Sequence, residues 1–368
     1  MYYHPPDEML LCTHVDDFLL SATTGPLARR FYAHYSLSHD CKFFVAGTYV
    51  GIDVLRDRDA RKMYLSQTAL IDRLLEQEFA GIMRRENLTS NDLHYNPGKE
   101  LHKWEQLCPC STPFDYKMPK LSLVDSPSQP DLALVHWMQV TVGTLMYILN
   151  SRPDLTHSVH QVARFVHNPG PPHVKALDHI LRYLAGTGDL CLIVGNWTPV
   201  DHRFLMGFHL NADSSHKNAE LDFRGITGIG VFVLGTLLFS RSFVQDQVSA
   251  SSCEAEYYAY SSAVKDLEYV RLLLRDLRLF PDDASPPTML VDSEPAMAMS
   301  QGPTHRSRTK HIDFTMALAR DYIQRGRAVM EHCPTAEQVA DMWTKQLGPG
   351  PFVVFRGRFM GLVPFLRC

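Results

Sequence analysis

Four carboxylates in the last part of the chain stand where local structure alone does not explain them. Asp213 closes the apolar segment FLMGFHL and its short polar extension, and Asp292 ends the segment TMLVD. Both segments have the composition of buried strands. Because ligands of open α/β sheets bind at the carboxyl ends of strands, we expect both acids at a ligand-binding edge.

Glu256 belongs to a predicted helix from about Ser252 to Leu277. At roughly 100° per residue, it lies in line with the apolar stripe that must face a sheet, whereas Glu254 points about 200° away, toward solvent. The stripe consists of Ala263, Leu267, Val270 and Leu274. A carboxylate aimed at a core costs several kcal/mol unless it is compensated, and divalent cations shared with other carboxylates compensate it directly.

Asp341 lies in the predicted helix AEQVADMWTKQL, whose start carries a capping-box spacing of Thr335 and Gln338. It can therefore join the other three acids from a separate element. Four carboxylates around two Mg²⁺ ions, which Mn²⁺ can replace, suit phosphodiester hydrolysis. Taken singly, Asp213 as a loop cap, Asp292 as a helix N-cap and Asp341 as a surface residue remain open alternatives.

Composition limits the class of protein without naming its partner. The 368 residues leave room for two or three packed units, and the formal charge of −4 gives no overall signal for nucleic acid. The eight cysteines lack the CxxC spacing of a structural zinc site. No apolar run approaches the ~20 residues of a membrane helix, so we expect a soluble, intracellular protein without a membrane partner.

The order of predicted elements indicates several units. MLLCTH and FLLSA predict two strands that meet at an acidic pair, and residues 135–190 predict three antiparallel helices. Residues 83–115 lose periodicity and predict a loop and domain boundary. Beyond residue 200, three strands with a hairpin turn at Gly235, followed by alternating helices and strands, predict a mixed sheet covered by helices.

A series of motifs then resembles the end of copia-type retrotransposon Pol polyproteins. The motifs are HVDD at 14–17, YLSQTALIDRLL at 64–75, RPDLTHSV at 152–159, LRYLAGTGD at 181–189, SSCEAEYYA at 251–259, RTKHID at 308–313 and EQVADMWTK at 337–345. They cover nearly the whole chain in the family's order.

The resemblance implies an α/β chain with four parts. Residues 1–105 would be an α+β remnant of the reverse transcriptase palm and thumb, and residues 106–200 a mainly helical connection segment. Residues 201–350 would form a ribonuclease H-like domain, a mixed five-stranded sheet with flanking helices. Residues 351–368 would be a C-terminal tail.

Roles carry over to the acids by motif. Asp213, Glu256 and Asp292 correspond to the first three ribonuclease H acids, and Asp341 to the aspartate of the ADxxTK element. Asp16 and Asp17 match the polymerase aspartate pair. Because nucleotidyl transfer also needs an aspartate from an earlier strand, which would precede Met1, we do not expect this chain to polymerise DNA by itself.

A basic group near the KHI element could contact nucleic acid. It comprises Arg306, Arg308, Lys310 and His311. A solvated or salt-bridged loop explains these residues equally well.

The chain also departs from the family pattern. His14 replaces a tyrosine, Ser215 and His216 replace an Asp-Trp pair, and Phe243 and Val244 replace two lysines. The loss of the lysines removes positive charge that could hold phosphates, which favours a diverged element copy with reduced affinity for hybrids.

The expected function is Mg²⁺-dependent hydrolysis of the RNA strand of RNA/DNA hybrids, in a cytoplasmic virus-like particle or the nucleus. The hybrid and the rest of a Pol polyprotein would be the partners. One alternative is an inactive remnant that only binds nucleic acid or a polymerase. A third interpretation is reverse transcription in assembly with a longer chain.

Overall fold

A computed structural model describes eleven stretches of the chain. They are residues 2–4, 9–14, 17–22, 24–43, 45, 47–85, 110–195, 207–216, 223–279, 285–301 and 314–362. Within these stretches the chain forms three β-sheets with helices packed on two of them. None of the helices described there is long and apolar enough to cross a bilayer.

The first sheet is small and antiparallel, in the order β1-β2-β3. Its strands are β1 (Tyr2–His4), β2 (Met9–His14) and β3 (Asp17–Ser21), and helix α1 (Gly25–Tyr35) follows. His14 pairs with Asp17 across the turn, which confirms the predicted pair of strands around the acidic motif. Neither β2, β3 nor α1 has a buried side chain.

The second sheet is antiparallel throughout, in the order β13-β7-β6-β5-β4. Its elements up to residue 194 are β4 (Thr48–Tyr49), β5 (Ile52–Asp57), β6 (Lys62–Ser66), α2 (Thr68–Arg85), α3 (Leu132–Ile148), α4 (Thr156–Ala163), α5 (Pro171–Thr187) and β7 (Leu190–Val194). Helices α2 to α5 lie between its strands β6 and β7 in the sequence. Helices α3, α4 and α5 confirm the three helices predicted for residues 135–190.

The third sheet is mixed, in the order β10-β9-β8-β11-β12. Its region contains β8 (Phe208–Ser215), β9 (Ile226–Val233), β10 (Thr236–Val244), α6 (Ser252–Asp276), β11 (Thr288–Val291), α7 (Glu294–Gln301), α8 (Phe314–Gln324) and β12 (Val329–His332). The first three strands are antiparallel, and β8, β11 and β12 are parallel. This is the ribonuclease H-like arrangement that the motifs predicted.

Helix α6 covers one face of this sheet. Ala263, Leu267 and Val270 are buried together with Glu256, so the predicted stripe is confirmed. The three tyrosines that follow Glu256 on this helix are buried as well and contribute to the same core. Gly235 makes the hairpin turn between β9 and β10 with a φ of +72°, a conformation that glycine adopts without strain.

The other face of the sheet carries helix α4 and the 3-10 segment that contains Trp343. Thr156 Oγ1 of α4 lies 2.8 Å from Ser240 Oγ of β10, and Trp343 Nε1 donates to the Pro153 carbonyl at 3.0 Å. A Cβ at Gly230 would lie 2.2 Å from the Trp343 ring, so glycine at this position allows the indole to rest on the sheet. The sheet is therefore covered on one face by α6 and on the other by α4 and Trp343.

One prediction for the end of the chain was wrong. The predicted helix around Asp341 is a pair of 3-10 segments, Thr335–Glu337 and Val339–Trp343. All five residues of the second segment are buried, which a one-sided α-helix does not allow. Two further elements follow, helix α9 (Pro349–Arg356) and strand β13 (Met360–Leu362), which pairs with β7.

Candidate active site

Three of the four predicted acids meet at one edge of the mixed sheet. Asp213 comes from β8, Glu256 from α6 and Asp292 from the residue after β11, and one carboxylate oxygen of each lies within 4.8 Å of the others. Asp213 is fully buried, Glu256 is 8% exposed and Asp292 is partly buried. The carboxyl ends of two parallel strands and one helix face therefore converge as the sequence predicted.

Gln338 holds the two acid-bearing strands in place. Its Nε2 donates to the carbonyls of Ala212 and Leu290, both at 3.2 Å. Ala212 directly precedes Asp213, and Leu290 lies two residues before Asp292. Its Oε1 accepts from Asn211 Nδ2 at 2.9 Å. The sequence suggested a capping-box role for Gln338, and this link between β8 and β11 was not foreseen.

A glycine on β9 lets the 3-10 segment approach Asp213. Gly228 pairs with Asp213 across the strands, and a Cβ there would lie 2.8 Å from the Ala340 carbonyl. The close approach places the Thr344 hydroxyl where it donates to Asp213 Oδ2. The buried aspartate therefore accepts a hydrogen bond at Oδ2 that fixes its orientation, and Lys345 Nζ lies 3.5 Å from its other oxygen.

Burial dominates the electrostatics of the three acids. It raises the pKa of Asp213 to about 7 and that of Glu256 to about 9, and it also raises the pKa of Asp292. The neighbouring carboxylates add to the shift for all three acids because like charges disfavour ionisation. Glu256 Oε2 is buried without a hydrogen-bond partner among the described residues.

Lys345 is the cation at this site, and sequence analysis did not single it out. Its Nζ lies 3.3 Å from Asp213 Oδ2 and 2.8 Å from Asp341 Oδ1. Burial alone would lower the pKa of Lys345, but the two carboxylates raise it above its usual value. The signal was present in the sequence, since Lys345 stands four residues after Asp341, the spacing of a helical ion pair.

Asp341 lies close to the three-acid cluster, since its charge, in addition to burial, raises the pKa of both Asp213 and Asp292, and it shares the Lys345 ammonium with Asp213. It is 6% exposed, but the group of acids close enough to share one ion consists of the other three. Of the remaining predicted residues, the structure describes only Asp17, which does not join this group. Asp17 is exposed on the first sheet, while Asp16 and the basic group Arg306, Arg308, Lys310 and His311 lie outside the described residues.

The three-acid cluster fits a divalent cation. Carboxylate oxygens are the ligands that Mg²⁺ prefers, and an unpartnered buried oxygen on Glu256 has a ligand position to offer. The negative charge of the three acids is only partly neutralised by the described residues, since Lys345 forms an ion pair with Asp213 but with neither of the other two. A divalent cation would supply the missing positive charge.

Comparison with known proteins identifies the family. The chain is 29% identical over 340 residues, 92% of its length, to the retrovirus-related Pol polyprotein from transposon TNT 1-94 of Nicotiana tabacum. It is 30% identical over 257 residues, 69% of its length, to the corresponding polyprotein from transposon RE2 of Arabidopsis thaliana. The chain belongs to the copia-type retrotransposon Pol polyproteins. No family model matches it.

The Pol chain spans only part of these relatives, 23% of the tobacco polyprotein and 17% of the RE2 polyprotein. Among solved structures, it is similar to a ribonuclease H1 isolated from compost, with 20% identity and a TM-score of 0.30. That similarity covers 38% of the Pol chain and 92% of the solved chain.

Proposed function

We propose that this Pol chain carries a ribonuclease H active site that hydrolyses the RNA strand of RNA/DNA hybrids with two Mg²⁺ or Mn²⁺ ions. The observation that carries the proposal is the three-acid cluster with its unpartnered Glu256 oxygen. Asp213, Glu256 and Asp292 would hold the ions, and Asp341 would complete the set as the fourth acid. When bound, the ions supply Lewis acidity for attack by water on a phosphodiester.

The chain's own residues orient the reacting groups in this proposal. The Thr344 hydroxyl fixes the Asp213 carboxylate, and Gln338 keeps β8 and β11 in register beneath the site. Lys345 contributes a positive charge beside the cluster, where a negatively charged phosphate approaches. No side-chain nucleophile is needed.

The division into reverse transcriptase remnant, connection and ribonuclease H-like domain remains part of the proposal. The partners would be an RNA/DNA hybrid and the rest of a Pol polyprotein, in a cytoplasmic particle or the nucleus. The polyprotein relatives support this context because they are much longer than the chain that matches them.

A second candidate is a catalytically inactive remnant that only binds nucleic acid or a polymerase partner, and strand β10 favours a loss of activity on hybrids. Phe243 and Val244 occupy positions that the family fills with lysines, and the neighbouring Arg241 is committed to Asp266 at 2.6 Å. The Arg241 guanidinium also lies 4.8 Å from the Phe243 ring centre. This strand therefore offers little positive charge to a phosphate backbone.

Cleavage of a labelled RNA/DNA hybrid tests both candidates. The purified chain is compared with Asp292→Asn in Mg²⁺ and in Mn²⁺. We expect the variant to lose about a hundredfold or more in rate, because several kcal/mol of transition-state stabilisation depend on the ions. Asp276→Asn, an exposed acid paired with Arg275, is the matched control and should cleave like the parent.

Two outcomes would count against the active enzyme. Equal cleavage by the parent and by Asp292→Asn would reject the proposed site. A folded parent that binds the hybrid but does not cut it in either metal would favour the binding-only remnant.

A further inference from the structure

A cavity of about 290 Å³ opens beside the acid cluster, where the connection segment meets the mixed sheet. Lys345, which contacts Asp213, forms part of its wall. The opposite wall comes from helix α4 and from the loop at residues 114–121. The cavity therefore joins two regions of the chain and adjoins the proposed active site.

The charge of the cavity is opposite to that of the whole chain. Its wall contains Lys120, Arg164 and Lys345, and no carboxylate is among the described residues that line it. The whole chain carries a net charge of −4, and since Lys345 is paired with Asp213 and Asp341, the positive charge that faces the cavity comes from Lys120 and Arg164. A cavity of this kind attracts an anionic ligand.

Arg164 is held in place rather than free to move. Its Nη1 donates to Gln161 Oε1 at 3.0 Å, and its guanidinium lies 4.8 Å from the Phe165 ring centre. A positioned guanidinium suits phosphate because its donors form a rigid planar fork. Lys120 is exposed and also lines the cavity.

Aromatic side chains complete the wall. Tyr116 is 46% exposed and lines the cavity together with the buried Phe114. A half-exposed aromatic ring beside cations is the combination with which proteins bind unpaired or flanking nucleotides, since the ring stacks on the base and the cations hold the phosphate.

We propose that this cavity holds one nucleotide of the bound nucleic acid next to the acid cluster, with its phosphate at Lys120 and Arg164 and its base against Tyr116. The inference rests on the proposed function and deepens it. It makes residues 106–200 a part of the substrate-binding surface, because Tyr116 and Lys120 precede α4 and Arg164 directly follows it. The volume is near the lower end of small-ligand sites and matches a single nucleotide unit.

Binding and cleavage must be measured separately to test this. Affinity of the full chain for a fluorescent RNA/DNA hybrid is measured in Ca²⁺ at several salt concentrations, for the parent, Lys120→Gln and Arg164→Gln. We expect each variant to weaken binding roughly tenfold near ~0.1 M salt and to lower the slope of log Kd against log salt by about 1. Lys265→Gln, on the solvent-facing side of α6, is the control and should match the parent.

The variant Tyr116→Leu tests whether the cavity binds a nucleotide with its base or only a phosphate group. It should weaken binding about fivefold or more with an unchanged salt slope, because stacking carries no charge. Parental affinity and slope in both cation variants would overturn the proposal, as would parental affinity in Tyr116→Leu. Since Lys120 and Tyr116 are exposed, these two substitutions leave the fold intact, and unfolding temperatures check this for all variants.

The parent chain's cleavage in Mg²⁺ distinguishes this inference from the proposed function. A parent that binds through the cavity but does not cleave would reject the ribonuclease activity and support the binding site. A parent that cleaves, with variants that bind as well as the parent does, would reject the binding site alone. A parent that does not bind the hybrid would reject both.

Discussion

The chain carries two acidic motifs, and the structure treats them differently. Asp17 is exposed on the β2–β3 hairpin, where no side chain of either strand is buried. Asp213 is fully buried, and two further acids converge on it from α6 and from the end of β11. Within the described residues, Asp17 takes part in no such group.

The difference lies in the surroundings rather than in the acids. Around Asp213, Gln338 ties two strands together, Thr344 orients the carboxylate and Trp343 anchors the 3-10 segment to the connection. The hairpin has no comparable support among the described residues. A carboxylate becomes a metal ligand when packing forces it together with others, and a sequence motif alone does not supply that packing.

The largest expected effect comes from removing the anchor of the acid cluster. Trp343 is fully buried against β9 and Phe359, so Trp343→Ala should lower the free energy of unfolding by about 3–5 kcal/mol. Denaturant unfolding measures this. Tyr269→Ala, at a ring that is 65% exposed, is the control and should change little. A small loss for Trp343→Ala would show that the cluster does not depend on the connection.

The acid cluster should make stability depend on pH in the absence of divalent cations. Burial raises the pKa of Glu256 from 4.5 to about 9, so the folded state binds more protons than the unfolded state between those values. Stability should therefore fall as pH rises through that window, by about 1–3 kcal/mol. Mg²⁺ should reverse the loss.

The variants Glu256→Gln and Asp17→Asn compare how the two acidic motifs contribute to the pH dependence of stability. Glu256→Gln should flatten the pH dependence in EDTA and reduce the stabilisation by Mg²⁺, because an amide carries no titrating charge. Asp17→Asn should behave like the parent in both respects. The unfolding temperature of each chain is measured at pH 6 and pH 9. An equal change between the two pH values for Glu256→Gln and the parent would contradict the expectation.

The contact between α4 and β10 of the mixed sheet should weaken at low pH. His157 is buried, lies 3.3 Å from Ser242 Oγ, and has its pKa lowered to about 4 by burial. The unfolded state then binds more protons between pH 6.5 and 4, so stability should fall by about 1–2 kcal/mol as pH falls through that window. His157→Gln should reduce this loss, and His14→Gln, at an exposed residue, should not.

The smallest effect is expected from removing the hairpin region. A chain that starts at residue 47 lacks α1 and the first sheet, in which β2, β3 and α1 bury no side chain. Its free energy of unfolding should differ from the parent by less than about 1 kcal/mol, with unchanged hybrid cleavage. A large loss would mean that the hairpin supports the rest of the chain and would weaken the contrast drawn above.

Local patterns predicted the main elements of the site. The stripe on α6 selected Glu256 over Glu254, and the strand ends located Asp213 and Asp292, because periodicity and strand termini are properties of nearest neighbours. The segment around Asp341 was predicted as an α-helix and is 3-10 structure, since burial of five consecutive residues depends on contacts distant in sequence.

The sequence by itself determined the buried face of α6, the strand ends that carry Asp213 and Asp292, and the four acids that are candidates to share ions. Only the tertiary structure decided that Lys345 pairs with both Asp213 and Asp341, that Gln338 links β8 to β11, and that β13 pairs with β7 at the edge of the second sheet. The physical reason is that side-chain periodicity is local, whereas an ion pair or a strand pairing joins residues that sequence separation leaves unconstrained.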